Sequence, residues 1–526
     1  MNSDRFKGNR LAILLGNKAN LIIILSAFII LFVTLLPFNF AIPRDLSLTS
    51  IIGDFKQKTD YKDFVSNIIL FIPFGLGIGA WLQKYQTSIA FNSIVTFIVS
   101  FFLSLVVEIG QVFLISREPT IYDLISNGCG GLLGITTFLN IKKFDRPLSR
   151  LYWRLRFLNR PTIKLKTLII SWLSYLFVIC LILITVADST KLSNWDTRYP
   201  LLVGNEATGD RFWQGKITDF CITKKAIPQQ QIEQLLNTKN SCVVLKNNSN
   251  TLITTYFFNR SHPAYLDLTR NLPNLDNQSK LPFMATDSGI IIDRDRWLKT
   301  TFPATKLSKE IQQSSQFTIL MNIATNSLQQ SGPARIISLS QNHLVRNFTI
   351  AQSERDLSIR IRTPLMGLNG KNPEIRVNDF FKDREFQQIA ISYDSLKLKI
   401  YFDEPSKVKS LYFGSEAALF WSVFSILSSK VYLNIDNNNF YFVLYYGVMF
   451  VPLGIFLGAI IYILNPLFSD RLKLVLLGIG IPPFLVETII VSSENRDWNW
   501  QYLSLSMTIL IISFCLTKVF NLKKNY

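Results

Sequence analysis

The stretch DFVSNIILFIPFGLGIGAWL, residues 63–82, carries no charge after Asp63. A helix needs about 20 largely apolar residues to cross a bilayer, so 64–82 reads as a membrane span. Asp63 and Asn67 open it, and positions 63, 67, 71 and 74 share one helical stripe. Gly75 and Gly79 add a small-xxx-small contact through which another helix approaches closely. Similar runs occur at 21–41, 89–115, 121–141 and 167–187, and later at 441–464, 472–491 and 501–520. The reading is a multi-pass α-helical membrane bundle of about eight spans. Between the two groups, residues 188–440 hold no such run and read as a separate domain.

The composition agrees with a membrane chain. Of 526 residues, 48% are hydrophobic and 17% charged, against about 25% charged in soluble proteins. That excludes intrinsic disorder, which needs low hydrophobicity. Five cysteines without a CxxC pair, and only His262 and His343, argue against a zinc or iron–sulfur site. No cofactor or metal is implied.

The net charge of +19 points either to nucleic acid or to loops on the cytoplasmic membrane face. Its distribution selects the second and leaves no nucleic-acid partner. With the N-terminus inside, segments 1–20, 83–88, 142–166, 465–473 and 517–526 hold 19 Lys/Arg and three acids. The spans and short outer loops hold 6 Lys/Arg and 10 acids, and the middle domain 30 and 23. The expected layout is a cytoplasmic tail (1–20), a four-span domain (21–141), a basic cytoplasmic loop (142–166) and a fifth span (167–187). An extracytoplasmic domain (188–440) and three further spans (441–526) complete it, with both termini cytoplasmic. The charged start followed by a long apolar run without a small-residue cleavage site reads as an uncleaved plasma-membrane anchor.

Polar residues gather toward one membrane face. Span two opens with Asp63 and Asn67, and span three carries Glu108 and Gln111. Arg117 lies in the short loop that follows, and span four opens with Asp123 and Asn127. A carboxylate inside a span marks a functional site with a partner by default, and Arg117 is the candidate partner for Glu108 or Asp123. The structural alternative is interhelical glue in which each polar group satisfies another.

The pattern D-x3-N-x3-F-x-P-F-G, then E-x2-Q-x5-R-x5-D-x3-N-x3-G, resembles that of VanZ-like membrane proteins. It covers residues 21–141, with Asp63, Asn67, Phe71, Pro73, Phe74, Gly75, Glu108, Gln111, Arg117, Asp123, Asn127 and Gly131 in place. Members of that family are associated with resistance to glycopeptide antibiotics such as teicoplanin, so the resemblance implies a role in the cell envelope.

The late spans echo the early ones at an offset of 379: FIPFG at 71–75 matches FVPLG at 450–454, Gly79 matches Gly458, Glu108 matches Glu487, and Arg117 matches Arg496. Such registers point to repeated helical units. In the second copy Tyr446, Ile490, Tyr502 and Ser506 replace Asn67, Gln111, Asp123 and Asn127. The first copy is therefore the better candidate for a specific site, and the glutamate–arginine pair has a structural share in both.

Residues 188–440 read as an all-β sandwich, with runs such as FTILMNIAT (317–325), LSIRIRTP (357–364) and LKLKIYFD (396–403) between turns. Arg360 and Arg362 alternate with Ile359 and Ile361, as in a half-exposed strand. YPLLVGNEATGDRFWQGKITDF (199–220), with the later strands, resembles the concanavalin A-like, laminin-G-type jelly roll. Its GN…W.G.I stretch precedes the other strands rather than following them, which a circular permutation explains. A glycan-binding reading uses Trp213, Trp297, Asn205, Asp210, Arg346 and Asn347. The alternative is that both tryptophans fill the core and Asp210 closes a turn. Cys221 and Cys242 are candidates for a disulfide in an oxidising compartment. Cys129, Cys180 and Cys515 read as packing residues.

Three functions follow. One is a protein binding an envelope glycan, a lipid-linked headgroup or a glycopeptide at the outer face. Another is a membrane enzyme acting on a polyprenyl or glycolipid substrate, with Glu108 or Asp123 as acid/base and Arg117 on a phosphate. The third is a transporter, ranked last because the polar groups lie toward one face rather than the midplane. The partners implied are a membrane lipid or its headgroup and an envelope glycan. The sequence leaves the oligomeric state open.

Overall fold

The structure, a computed structural model, describes residues 10–35, 40, 61–85, 87–114, 120–140, 165–238, 241–248, 250–258, 261–278, 281–283, 285–286, 289–402, 408–424, 432–464 and 467–522. The side chain of Asp63, all of Arg117, and the basic segment 142–166 up to Lys164 lie outside the described residues. The chain divides into two compact units, residues 1–163 and 164–526.

The first unit contains α1 (Arg10–Leu35), α2 (Tyr61–Leu82), α3 (Ile89–Val112) and α4 (Ile121–Leu139). Its core joins Ile30 of α1, Phe71, Phe74, Ile78 and Leu82 of α2, and Val107 of α3. Glycine brings α2 and α4 together backbone to backbone. A Cβ on Gly75 would lie 2.1 Å from the Gly131 carbonyl oxygen, and one on Gly134 2.3 Å from that of Ile72. Ser88 caps α3 and Thr120 caps α4, each accepting a backbone N–H three residues on.

In the second unit α5 (Leu165–Val186) leads into a β-rich region. Its strands are β1 (Leu201–Val203), β2 (Gly215–Thr223), β3 (Leu252–Phe257), β4 (Ala264–Tyr265), β5 (Leu275–Asn277), β6 (Ala285–Thr286), β7 (Gly289–Ile292), β8 (Leu298–Thr300) and β9 (Phe317–Thr325). They continue with β10 (Ala334–Ser340), β11 (Arg346–Ser353), β12 (Asp356–Ile361), β13 (Glu374–Val377), β14 (Gln387–Tyr393), β15 (Lys397–Tyr401), β16 (Val408–Tyr412) and β17 (Tyr432–Asn434). Helices α6 (Gln229–Leu236), α7 (Ser241–Asn248), α8 (Thr305–Ser314) and α9 (Ser415–Phe424) are interspersed. Then come α10 (Asn438–Leu464), α11 (Phe468–Glu494) and α12 (Trp500–Leu522).

The strands form two sheets. The nine-stranded sheet runs β17-β13-β12-β11-β10-β1-β8-β5-β4, and the eight-stranded one β16-β15-β14-β9-β2-β7-β6 with β3 beside β2. Neighbours are antiparallel except the β13–β17 pair. The sheets pack as a sandwich: Phe317 of β9 stacks on Phe348 of β11 with centroids 6.3 Å apart, and Trp195 contacts both. Cys221 of β2 and Cys242 of α7 are joined by a disulfide. The expectation of a half-exposed β12 is corrected. Ile359 and Ile361 face the core, while Arg360 is only 9% exposed because it pairs with the buried Glu374 of β13, 2.6 Å away.

Seven helices among the described residues are long and apolar enough to cross a membrane. They include the expected spans within α1, α2, α3, α5, α10, α11 and α12. The eighth expected span, 121–141, forms α4 but is not among the seven. Its Asp123, Ser126 and Asn127, with four glycines, dilute its apolar character.

Candidate functional site

At one end of the first unit α2 begins, α3 ends and α4 begins. Asn67 Nδ2 donates to Asp123 Oδ1 at 2.8 Å, joining α2 to α4. The backbone N–H of Thr120 donates to Glu108 Oε2 at 3.0 Å. Thr120 is the cap residue of α4, so the carboxylate sits where the helix dipole is positive and favours an anion. Gln111 Nε2 donates to the Thr34 carbonyl of α1 at 3.1 Å, and Asn127 Nδ2 to Ser104 Oγ at 2.8 Å. Glu108, Gln111 and Asn127 are buried, whereas Asn67 and Asp123 are partly accessible. An open amide–carboxylate pair thus lies beside a buried polar layer.

That layer continues along α3. Asn92, Thr96, Ser100, Ser104 and Glu108 are all buried at every fourth position, a stripe the sequence reading did not single out. The signal was the i, i+4 recurrence of small polar residues in an apolar run. Ser100 meets the Gly131 face of α4. Ser100 Oγ and Asn127 Oδ1 are buried without a hydrogen-bond partner among the described residues.

The late helices carry a polar cluster of their own. Arg496 donates to both oxygens of Glu487, at 3.0 and 3.1 Å, and the Asn499 N–H donates to Glu487 at 3.1 Å. Asn499 in turn accepts from the Tyr502 N–H at 3.3 Å, as Thr120 does from that of Asp123 at 3.1 Å. Gly454 faces Leu510 and Ser513 of α12, as Gly75 faces Gly131 of α4. Where the first unit has Asn67 and Asp123, Tyr446 and Tyr502 lie with rings 5.8 Å apart, and the Arg496 guanidinium sits 5.7 Å from the Tyr502 ring centre. Sequence reasoning missed Glu416 and Glu494, which join this cluster. Neither position has a polar counterpart 379 residues earlier to flag it.

In the sandwich, most of the residues considered for a glycan are engaged internally. Trp213 is fully buried and its indole N–H donates to Gln352 at 2.8 Å. Asn205 Oδ1 accepts from the N–H groups of Glu206 and Arg211, which closes the turn. Asn347 bonds both ways with the Asp196 backbone, at 2.7 and 2.8 Å. Arg346 and Arg335 flank the buried Glu206 at 3.8 and 3.2 Å. Asp210, hydrogen-bonded by Thr208, is exposed, and Trp297 is half-buried. Of the other cysteines, Cys180 is buried, Cys129 partly so and Cys515 exposed. No group of three or more His, Cys, Asp or Glu arranged to hold a metal occurs among the described residues.

Fold and site together define a helical membrane protein that carries a β-sandwich. Residues 18–142 match the family model described as VanZ/LLP1, which makes this segment a VanZ-like domain. No curated protein and no solved structure matches the chain.

Proposed function

We propose that this is a cell-envelope protein whose first helical unit binds the polar headgroup of a membrane lipid, or a lipid-linked sugar, at the outer face. The observation that carries the reading is the Asn67–Asp123 pair at 2.8 Å, partly accessible, beside the buried Glu108 and Asn127. An amide and a carboxylate at a membrane surface offer donors and acceptors to sugar hydroxyls. Arg117, assigned from the sequence, would supply the complement for a phosphate. The contrast with Tyr446 and Tyr502, whose rings pack at the equivalent place, supports a ligand role for the polar pair over a packing role.

The outer placement rests on the positive-inside charge pattern, which puts both termini in the cytoplasm and the sandwich outside. The recurrence of carboxylate, cap and glycine contacts at an offset of 379 supports reading the late helices as a second copy of the unit. In that copy α5, hydrogen-bonded to α10 through Trp172 and Tyr175, takes the place of α1. The jelly-roll reading of the sandwich, its glycan binding through Asp210 and Trp297, and a link to glycopeptide resistance belong to the same proposal. An enzyme acting on the bound lipid remains the second reading, supported by the carboxylates Glu108 and Asp123.

Mass spectrometry of the gently solubilised full chain tests the proposal. The expected result is a co-purifying phosphate- or sugar-bearing lipid that is lost in Glu108→Gln and Arg117→Ala. The same lipid content in both variants would sink it. Turnover of that lipid by the purified protein would move the enzyme reading ahead. Binding of the full chain to an envelope-glycan array tests the sandwich separately.

A further inference from the structure

Helix α9 lies in the chain between β16 and β17, shortly before the late helices, and its residues Ser415 to Trp421 are all buried. Glu416 in its first turn is 0% exposed. The Tyr446 hydroxyl donates to Glu416 Oε1 at 3.4 Å, while Oε2 is buried with no hydrogen-bond partner among the described residues. Next to it, Glu494 accepts from the Tyr412 hydroxyl at 2.6 Å, from Ser415 Oγ at 2.7 Å and from the Ser415 N–H. Arg496 lies 3.4 Å from Glu494 and holds Glu487 with two hydrogen bonds.

Among the described residues one guanidinium therefore serves two carboxylates before Glu416 is counted. Ionising the third would leave two uncompensated negative charges in a site without access to water, which is strongly unfavourable. The charge balance keeps Glu416 protonated. Burial, and then the negative charge of Glu494, push its carboxyl up to about 8.

Every element around the site contributes to this balance. Tyr412 comes from β16, Tyr445 and Tyr446 from α10, Glu487 and Glu494 from α11, Arg496 from the α11–α12 connection and Tyr502 from α12. On α5 the Tyr175 hydroxyl is bonded to the Val448 carbonyl and Cys180 is a buried thiol. Asp188, in the short turn after α5, pairs with the exposed Lys191.

We propose that Glu416 is a proton-binding site at the joint between the sandwich and the late helices, closed while the carboxyl holds its proton and loosened when the proton leaves. The site is separate from the headgroup site and does not depend on it. The folded joint holds the proton more tightly than the opened one does. Its stabilisation is therefore complete below the ordinary glutamate range and is lost as pH rises through the folded value near 8.

Infrared difference spectroscopy and hydrogen exchange on the full chain in lipid, between about pH 6 and about pH 10, test this. The expected result is a protonated carboxyl band that disappears with a midpoint above neutrality, while exchange over 412–424 speeds up. In Glu416→Gln the band is absent and exchange over 412–424 loses that pH dependence. In Glu494→Gln, which removes the neighbouring negative charge, the midpoint moves to lower pH. A band that survives Glu416→Gln, or wild-type pH dependence of exchange in that variant, overturns the proposal. If Glu416→Gln does not fold, a midpoint that is unmoved or raised in Glu494→Gln overturns it.

Discussion

Glu108 and Glu487 lie 379 residues apart, and each accepts a backbone N–H from the start of the next helix. Glu108 takes the N–H of Thr120, and Glu487 takes the N–H of Asn499 together with Arg496. Each carboxylate therefore also anchors the start of the next helix. Glu108→Ala removes the carboxylate to which the Thr120 N–H donates, a loss of about 1–3 kcal/mol, whereas Glu108→Gln keeps an acceptor there and stays close to wild type. Thermal unfolding of the two variants in detergent separates these outcomes, and equal losses would contradict the anchoring role. Glu487→Ala strands a largely buried guanidinium, at the low end of about 3–5 kcal/mol because Glu494 remains beside it. The same measurement reads that loss, and a variant that melts like wild type would contradict it.

Among the elements, the spans were the most legible in the sequence. An uninterrupted apolar run over 64–82 leaves few alternatives to a helix in lipid, and the glycine spacing pointed to a close helix contact without naming α4 as the partner. Gly75→Ala is expected to force the two helices apart, since its Cβ would lie 2.1 Å from the Gly131 oxygen, at a cost of about 1–3 kcal/mol. Gly79→Ala is expected to be milder, because its nearest neighbour is the Ile135 side chain at 3.0 Å. Melting temperatures that reverse this order would contradict the packing.

The polar stripe of α3 was not legible in the same way. Asn92, Thr96, Ser100 and Ser104 are small enough to leave the run apolar on average, and only their burial in three dimensions, with Ser100 against Gly131 and Ser104 bonded to Asn127, shows that they face inward. In the sandwich, strand alternation located the core but not the cover over its other face. Arg360 therefore looked exposed until Glu374 was placed beside it. The Cys221–Cys242 disulfide spans 21 residues, and its loss in Cys221→Ser/Cys242→Ser is expected to cost about 3 kcal/mol from loop-closure entropy. Denaturation that is the same with and without reductant would contradict that contribution.

At the scale of the whole molecule, the proposed topology rests on the charge distribution. In a background lacking Cys129, Cys180 and Cys515, a cysteine at the exposed position of Lys309 is expected to react with an impermeant maleimide in intact cells. One at Lys473 is expected to react only after permeabilisation. The reverse pattern would invert the orientation and place the polar end of the first unit inside. The early and late helices offer an internal control for the central claim, because the early ones carry Asn67 and Asp123 where the late ones, 379 residues on, pack Tyr446 against Tyr502.

The most direct test converts the first arrangement into the second. Lipid mass spectrometry is carried out on the purified full chain and on Asn67→Tyr/Asp123→Tyr, with melting in detergent confirming that both are folded. A headgroup site predicts that a phosphate- or sugar-bearing lipid retained by the wild type is lost from the folded double variant. The same lipid, retained in equal amount by both proteins, would contradict it.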